Sequence, residues 1–347
     1  MESKKALITG GSGYFGECLT EELLKRGFKC SILDLNKPEK SLEKRVRFFQ
    51  GDIRDKILLD SACAGIDYVF HNVAQVPLSK DEKLFKSVND LGTRNIIESS
   101  KKNNCSHLVY TSSSAIFGVP KENPLNENST TEPFESYGES KLIGEKHCLD
   151  NINEETKISI IRPRTILGKG RLGIFQILFE WIFMGKNIPV FDKGDNIFQF
   201  IHAKDLAIAC ILAAESNKDN IFNVGANDLS TIRELLEELI FFAKKNSKII
   251  SFPSNFIVPV INLLNLIGLS PLSSYHSKMY GKEIYFNCSK IKTELNWSPK
   301  YSNKEMIKES YKWYEVNRAN ILSASEIKSF HKSSVKKGVI TIFEKFL

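Results

Sequence analysis

Short apolar runs alternate with helix-length segments along the first 160 residues of this 347-residue chain. Within the longer segments, apolar residues recur at the spacing of an amphipathic helix. Strands that alternate with helices are typical of a parallel sheet with helices on both faces. The pattern therefore predicts an α/β fold with a doubly wound parallel sheet, whose strands occupy residues 4–8, 29–33, 47–49, 68–71, 107–111 and 158–161.

The alternation changes beyond this region. Residues 189–195 are rich in turn-forming residues, and we predict a turn there. Residues 221–225 form an apolar run that predicts a late strand. Shortly after this run, Ser230 or Thr231 is suited to cap the start of an amphipathic helix.

A glycine-rich turn separates the first predicted strand from the first predicted helix, residues 17–26. Gly10, Gly13 and Gly16 permit a tight turn and let backbone N–H groups approach a pyrophosphate at the positive end of the helix. Asp34 ends the next strand, at the interval expected for a carboxylate that binds an adenosine 2′-hydroxyl. Such a carboxylate repels a 2′-phosphate, so the pattern predicts NAD in preference to NADP. The alternative is a glycine-rich turn that binds no ligand.

Tyr137 and Lys141 place a phenol and an ammonium group one helical turn apart. Residues at this spacing share a helix face, and a nearby cation lowers the pKa of a tyrosine. A tyrosine with a lowered pKa is suited to move a proton near neutral pH. The pair follows a serine run, residues 112–114, by some two dozen positions. Because Tyr-x-x-x-Lys also occurs by chance in solvated helices, the pair gains weight from the glycine-rich turn.

Together these motifs resemble the extended short-chain dehydrogenase/reductase family over residues 4–318. The motifs that carry the resemblance occur in order along the chain. They are Thr9–Gly16, Gly51–Asp55, His71–Ala74, Asn89–Asn95, Tyr110–Gly118 and the pair Tyr137 and Lys141.

The resemblance implies a Rossmann-type fold, an enzymatic activity and NAD as the cofactor. It implies that Ser113, Tyr137 and Lys141 are catalytic, with Ser113 bound to the reacting oxygen and Ser112 and Ser114 in supporting positions. It also implies a set of residues that bind the cofactor, namely Gly10, Gly13, Tyr14, Phe15, Gly16, Asp34, Asp52, Ile53, Val73, Asn89, Tyr137, Lys141 and Pro163.

The resemblance further implies a division into three parts. Residues 1–165 form the NAD-binding Rossmann domain with the catalytic groups. Residues 166–318 form mainly a smaller C-terminal lobe that binds the substrate, with segments that return to the sheet. Residues 319–347 form a basic and apolar C-terminal tail.

The chain departs from the nucleotide-sugar enzymes of the family on the substrate side. Thr165 stands where those enzymes usually carry an asparagine, and residues 197–199 lack the arginine that clamps a diphosphate. An apolar side chain cannot replace a bidentate guanidinium. Either another cation, such as Arg164, Lys169 or Arg171, binds the diphosphate, or the substrate carries no diphosphate. The alternative for these three cations is that they are solvated loop charges with no ligand. The candidate substrate residues are Ser114, Arg164, Thr165 and Arg171, with Lys169 as a further cation.

Two classes of reaction fit the motifs. One is a nucleotide-sugar epimerase, in which Tyr137 takes a proton from a sugar hydroxyl, a keto intermediate turns over and hydride returns to the other face. The other is an NAD(P)-dependent dehydrogenase or reductase of a secondary alcohol, resembling the 3β-hydroxysteroid dehydrogenase branch. Residues 111–118 and 296–299 favour the first, whereas the missing diphosphate clamp and the apolar stretch 256–269 favour the second. A scaffold that binds NAD without catalysis is disfavoured because the three catalytic side chains are present.

An apolar stretch over residues 256–269 also bears on the substrate. It is shorter than the roughly twenty residues that span a bilayer. The favoured interpretation is a buried helix of the smaller lobe, and the alternatives are an apolar substrate mouth or a surface that lies in a membrane interface. Residues 335–347 mix lysines with aromatic residues and would either support such docking or pack on the protein.

Composition adds a few limits. The formal net charge of +7 suits an anionic cofactor or substrate, and the scattered lysines do not indicate nucleic-acid binding. The seven cysteines are dispersed, which predicts free thiols, a reducing compartment and no metal site. The first predicted strand begins close to Met1, which indicates no signal peptide. We expect a cytoplasmic protein that forms a homodimer.

Overall fold

The computed structural model describes residues 3–74, 84, 86–152, 155–255, 259, 279 and 281–323. The strands are β1 (Lys5–Thr9), β2 (Lys29–Asp34), β3 (Arg47–Gln50), β4 (Tyr68–His71), β5 (His107–Thr111), β6 (Lys157–Pro163), β7 (Thr165–Leu167), β8 (Ile188–Phe191), β9 (Ile197–Phe198), β10 (Phe200–His202), β11 (Asn220–Val224), β12 (Ser230–Thr231) and β13 (Ile249–Phe252). The helices are α1 (Tyr14–Lys25), α2 (Lys40–Glu43), α3 (Lys56–Cys63), α4 (Gly92–Lys102), α5 (Ser136–Asp150), α6 (Ile174–Phe183), α7 (Ala203–Glu215), α8 (Ile232–Ala243), α9 (Ser289–Leu295) and α10 (Asn303–Ser323).

Seven parallel strands form the central sheet, in the order β11-β6-β5-β4-β1-β2-β3. The order reverses at β1, because the chain first builds outward through β2 and β3 and then returns to β4 on the other side. In open α/β sheets, ligands bind at the carboxyl ends of the strands where such a reversal occurs. Here that crevice lies between the ends of β1 and β4. The predicted doubly wound α/β fold is confirmed.

Helices bury both faces of the sheet, which explains why its strands are apolar runs rather than alternating ones. On one face, Leu19 of α1 and Leu206 of α7 belong to a buried cluster with Ile8 of β1. On the other face, Ile96 of α4 belongs to a second cluster with Leu7 of β1. All five of these side chains are fully buried. The strand that carries the glycine-rich turn is therefore held from both sides.

The smaller lobe has a third buried cluster, which includes Phe179 of α6, Leu239 of α8 and Tyr311 of α10. The late strand predicted at residues 221–225 is confirmed as β11, which returns to the central sheet and pairs with β6. Helix α8 begins at the predicted place, with a capping box between Thr231 and Glu234.

One predicted turn in the lobe is wrong in its first half. Residues 189–191 belong to β8, which pairs in parallel with β13. Val190 and Phe191 are buried, so this strand is stabilised by packing that local turn propensity does not reveal. The turn itself follows at Asp192 and Gly194, both of which have positive φ.

Some boundaries also differ from the predicted ones. Helix α1 begins at Tyr14, three residues before the predicted start, because the end of the glycine-rich turn is already helical. Apart from residue 259, the apolar stretch 256–269 lies outside the described residues, and so does the tail beyond residue 323. The three-part domain division remains a prediction. In the described part of the chain, no helix is both long and apolar enough to cross a membrane.

Candidate active site

The glycine-rich turn brings the end of β1 close to α1 and to the end of β4. Gly10 has a φ of +71°, and a Cβ there would lie 3.0 Å from the backbone nitrogen of Val73. A Cβ at Gly16 would lie 2.1 Å from the carbonyl oxygen of Gly10, which no side chain tolerates. Helix α1 begins after its N-cap residue, Gly13, which has no side chain to cap the first turn. The positive end of the helix is therefore open to an anion such as a pyrophosphate.

Asp34 lies at the carboxyl end of β2, beside this turn. Its Oδ2 accepts a hydrogen bond from the backbone N–H of Ser12 (3.1 Å), and its Oδ1 accepts one from Asn36 (3.0 Å). The Ser12 hydroxyl donates to the carbonyl of Asn36 at 2.7 Å. These bonds fix the half-buried carboxylate at the position expected for an adenosine ribose.

Asp52 and Ile53 follow β3 at the same edge of the sheet. Arg54 donates to both carboxylate oxygens of Asp52, at 2.8 and 2.6 Å, and these bonds lower the Asp52 pKa. Ile53 is buried, and a Cβ at Gly92 would lie 2.7 Å from its side chain. Tyr14 and Phe15 are buried at the start of α1. The structure thus brings these predicted cofactor residues to one edge of the sheet.

Lys141 joins the helix that carries Tyr137 to the end of β5. Its buried Nζ donates to the carbonyl of Thr111 at 2.7 Å and lies 4.8 Å from the ring centroid of Tyr110. Burial lowers the Lys141 pKa to about 8. Glu135 caps α5 by accepting hydrogen bonds from the N–H groups of Tyr137 and the next residue. A buried ammonium group and the phenol one turn before it are therefore held at the carboxyl edge of the sheet.

The three neighbouring serines have different surroundings. Ser113 is half-buried, and its Oγ accepts a hydrogen bond from the Ala115 N–H at 3.1 Å. A hydroxyl that accepts in this way can still donate its proton to a substrate oxygen. Ser112 and Ser114 are buried and bonded to Glu145 and Arg164, respectively. Ser113 is thus the member of the run that lies nearest to solvent.

Asn89 and Pro163 complete the predicted cofactor set. Asn89 is buried, and its Nδ2 donates to the hydroxyl of Ser140, which in turn donates to the carbonyl of Tyr137. It therefore supports the first turn of the helix that carries the phenol. Pro163 ends β6 opposite Val224 of β11.

Two arginines predicted for the substrate side are held among aromatic rings. Arg164 is 2% exposed, and its NH1 donates to the Ser114 hydroxyl at 2.8 Å. Its guanidinium lies 5.1 Å from the ring centroid of Phe198 and 5.7 Å from that of Phe286. Burial of this kind is unusual for a charge that acts only as a solvated loop residue. Thr165 is half-buried on β7.

Arg171 lies against the start of α1. Its guanidinium is 5.7 Å from the ring centroid of Tyr14, and the surrounding loop is closed by a hydrogen bond from its N–H to Gly168. Burial lowers the Arg171 pKa to about 10, an effect opposed by the phenols of Tyr14 and Tyr137. Among the described residues, neither Arg171 Nε nor the Tyr14 hydroxyl has a hydrogen-bond partner. The solvated-charge alternative is therefore wrong for the buried Arg164, whereas Arg171 is half-buried and Lys169 is exposed.

The sequence reasoning missed a buried pair behind the site. Glu145 and Arg162 form an ion pair of 2.7 Å next to Ser112. The available signal was the position of Glu145, four residues after Lys141 and therefore on the same helix face.

Comparison with known proteins identifies the family of the chain. Residues 6–225 match the model of the NAD dependent epimerase/dehydratase family. An uncharacterized Sinorhizobium fredii protein, y4nG, is 45% identical over 340 residues, which cover 98% of this chain and 85% of that protein. A Methanocaldococcus jannaschii putative UDP-glucose 4-epimerase is 26% identical over 90% of this chain and 98% of its own length.

A human sterol-4-alpha-carboxylate 3-dehydrogenase is 32% identical over 219 residues, which cover 62% of this chain and 58% of that enzyme. Among solved structures, the UDP-glucose 4-epimerase of Thermotoga maritima with UDP-glucose superposes with a TM-score of 0.76 at 21% identity, over 90% of this chain and 99% of that one. This likeness agrees with the Rossmann-type fold of the central sheet. The chain belongs to the NAD dependent epimerase/dehydratase family and is an NAD-dependent enzyme of the extended short-chain dehydrogenase/reductase type.

Proposed function

We propose that this enzyme is a nucleotide-sugar epimerase that oxidises a sugar hydroxyl to a ketone and then reduces the ketone from the other face. The observation that carries the proposal is the pair of arginines in the candidate site, of which Arg164 is buried and Arg171 is half-buried. Arg164 binds the residue next to Ser113, and the Arg171 guanidinium lies 5.7 Å from the ring centroid of Tyr14. Buried guanidinium groups are suited to an anionic substrate such as a sugar linked to a nucleoside diphosphate.

The residues at the carboxyl edge of the sheet fit NAD. Gly10 and Gly16 leave space that a Cβ would fill, and the open end of α1 suits the pyrophosphate. Asp34 suits the adenosine ribose, and Lys141 suits the nicotinamide ribose. Bound NAD would accept hydride from the substrate carbon and return it.

The proton chemistry belongs to the protein. Tyr137, as phenolate, takes the proton of the substrate hydroxyl, while Ser113 donates a hydrogen bond to the same oxygen. The Lys141 ammonium favours the phenolate, and its bond to Thr111 keeps it at this edge. When the ketone is reduced, Tyr137 returns the proton. No net oxidation results.

A second candidate is the oxidation of a hydrophobic secondary alcohol with release of NADH. Phe198 stands in the segment where an arginine was expected, and with Phe286 it lines Arg164 with aromatic surface. The sterol dehydrogenase likeness points the same way. We favour the epimerase because likeness to a putative UDP-glucose 4-epimerase extends over nearly the whole of both chains, whereas likeness to the sterol enzyme covers 58% of that enzyme.

Incubation of the purified protein with a panel of nucleotide-linked sugars separates the candidates. An epimerase keeps its cofactor through the cycle, so we expect a sugar isomer without stoichiometric NADH and without added NAD. The Tyr137→Phe variant is the control for contaminating activity. Net NADH from a hydrophobic secondary alcohol, with no isomer from any sugar, would contradict the proposal.

We also propose that the enzyme is a homodimer. Helix α5 exposes Ile143 and Leu149, and Ile152 is exposed just after it, with exposed fractions of 39%, 45% and 44%. Apolar side chains in one region of the surface suit contact with a second copy. Light scattering coupled to size-exclusion chromatography tests this, and the mass of a single chain would contradict it.

A further inference from the structure

The Glu145 carboxylate lies one helical turn beyond Lys141 and accepts hydrogen bonds from two strands. Arg162 of β6 donates from Nε to Oε1 (2.9 Å) and from NH2 to Oε2 (2.7 Å). The hydroxyl of Ser112, just after β5, donates to Oε1 at 2.5 Å. Glu145 is 1% and Arg162 5% exposed. We call these three residues the carboxylate cluster.

The Arg162 guanidinium is held on its remaining sides as well. Its NH1 donates to the carbonyl of Glu127 at 2.9 Å, and its centre lies 5.4 Å from the ring centroid of Phe117. A buried ion pair of this kind seldom adds stability beyond that of apolar packing, because both charges lose their hydration. Stability alone therefore does not explain the cluster. Its geometry indicates a second role, which is to fix α5 against the end of β5.

The cluster connects the neighbours of the groups proposed to be catalytic. Lys141 binds the carbonyl of Thr111, and Glu145 binds the hydroxyl of Ser112. Two successive residues at the end of β5 are thus attached to two successive turns of α5. One attachment would let the helix rotate against the strand, whereas two attachments fix the rotation. Ser113 follows directly on the strand side.

We propose that the carboxylate cluster of Ser112, Glu145 and Arg162 positions Ser113 against Tyr137 and Lys141 for proton transfer. The inference rests on the proposed roles of these three catalytic residues. The cluster itself touches none of the reacting atoms, so its members are positioning residues.

The charge of Glu145 also acts on Lys141. Burial lowers the Lys141 pKa to about 8, and Cys148 and Glu145 on its own helix oppose this effect. Burial raises the pKa of the Cys148 thiol, which is therefore neutral. On the neighbouring strands, Tyr110 is a neutral phenol and burial lowers the pKa of His71 to about 3, so both are uncharged near pH 7. Among the described residues, Glu145 is thus the carboxylate whose charge supports the Lys141 ammonium, and its ion pair with Arg162 partly offsets that charge.

The smaller lobe offers a matched control. Glu180 accepts hydrogen bonds from Arg318 Nε (2.8 Å) and NH2 (2.7 Å) and from the Tyr314 hydroxyl (2.5 Å). This set has the same chemistry as the carboxylate cluster but connects α6 to α10. The test compares Glu145→Gln with Glu180→Gln, and adds Ser112→Ala, which retains the ion pair.

The first measurement is the titration of Lys141, detected by NMR of protein with nitrogen-15-labelled lysine. The Lys141→Met variant identifies the Lys141 signal. Glu145→Gln removes the supporting negative charge, so we expect the Lys141 midpoint to move to lower pH. Glu180→Gln should leave it unchanged. No substrate is needed, so this result does not depend on the proposed reaction.

The second measurement is the single-turnover rate of hydride transfer. The substrate is the nucleotide-linked sugar that gives an isomer in the panel proposed above. We expect Glu145→Gln to lower this rate by about ten- to a hundred-fold with little change in KM, as for a misplaced catalytic group. Ser112→Ala should lower the rate by about ten-fold, since one charge-assisted hydrogen bond is lost. If Glu145→Gln does not fold, Ser112→Ala carries the test.

The outcomes separate this inference from the proposed function. A shifted Lys141 midpoint with no turnover of any sugar would support the electrostatic link and contradict the epimerase. Normal turnover with an unshifted midpoint in Glu145→Gln would show that the cluster only holds the fold. Equal rate losses in Glu145→Gln and Glu180→Gln would likewise overturn the inference.

Discussion

The two sides of the cleft are built differently. On the cofactor side, backbone groups hold the polar side chain, since Asp34 accepts hydrogen bonds from the amides of Ser12 and Asn36. On the substrate side, Arg164 is held by side chains from distant elements, between Phe198 and Phe286. Residues close together in sequence thus hold Asp34 in the predicted cofactor site, whereas tertiary packing holds Arg164 in the predicted substrate site. Substitutions on the cofactor side should therefore affect NAD binding or folding, whereas substitutions on the substrate side should affect the KM for the substrate.

The largest effect is expected at Tyr137, where the two sides meet. Tyr137→Phe removes the proton acceptor, and general acid–base groups contribute about a hundred- to ten-thousand-fold. We expect the rate to fall by this factor while NAD binding stays nearly intact, whereas Lys141→Met should weaken both. Stopped-flow absorbance and calorimetric titration measure the two quantities. Tyr68→Phe is the control, because Tyr68 lies at the start of β4, away from the carboxyl edge of the sheet. Near-normal turnover in Tyr137→Phe would show that the phenol takes no part in the mechanism.

The next effect tests the backbone geometry of the cofactor side. The Cβ of Gly16→Ala would lie 2.1 Å from the Gly10 carbonyl oxygen, whereas that of Gly13→Ala would lie 3.2 Å from the same atom. Overpacking typically costs about 1–3 kcal/mol, which we expect to appear as weaker NAD binding or a lower free energy of unfolding in Gly16→Ala. Calorimetry and denaturant titration measure these, and Gly13→Ala should be affected less. Equal behaviour of the two variants would show that close approach at Gly16 is unimportant.

The central fold and the cofactor side could be predicted because their signals are local. The strand that ends in Asp34 and the turn that begins at Gly10 lie within one strand–helix–strand unit, and apolar runs identified the other strands. The placement of Tyr137 and Lys141 on one helix face follows from their spacing, and their predicted chemistry depends also on the glycine-rich turn. The short-range pattern was thus sufficient wherever the structure is made by residues close in sequence.

The surroundings of β8 and Arg164 could not be predicted in the same way. Residues 189–191 form a strand because β13, sixty residues further along the chain, pairs with them. The burial of Arg164 depends on Phe286, which reaches it from another part of the chain. Neither partner can be identified from local propensity, because a turn-rich segment and a loop arginine have the same local signal whether or not they are packed.

A smaller effect tests the charge of the substrate side. Arg171→Met removes a half-buried cation, and hydrogen bonds to charged groups contribute about 1.5–3 kcal/mol. We therefore expect KM for the nucleotide sugar to rise by about ten- to a hundred-fold. Lys169→Met is the matched control, since it removes an exposed charge from the same loop. If the two variants behave alike in steady-state kinetics, the half-buried charge has no special role in binding the substrate.

The smallest effect concerns the choice between NAD and NADP. Two hydrogen bonds fix the Asp34 carboxylate, which we propose faces the adenosine ribose. Two charges about 4 Å apart in water repel by about 1 kcal/mol, or about five-fold in affinity, so Asp34 would disfavour a 2′-phosphate by about this amount. We expect the wild-type enzyme to bind NAD more tightly than NADP. Asp34→Asn should lower the ratio of the two affinities by about five-fold. Asp52→Asn is the control, because Arg54 already neutralises that carboxylate and the ratio should stay the same. Calorimetric titration with both dinucleotides gives the ratio, and tighter binding of NADP by the wild-type enzyme would show that Asp34 does not select the cofactor.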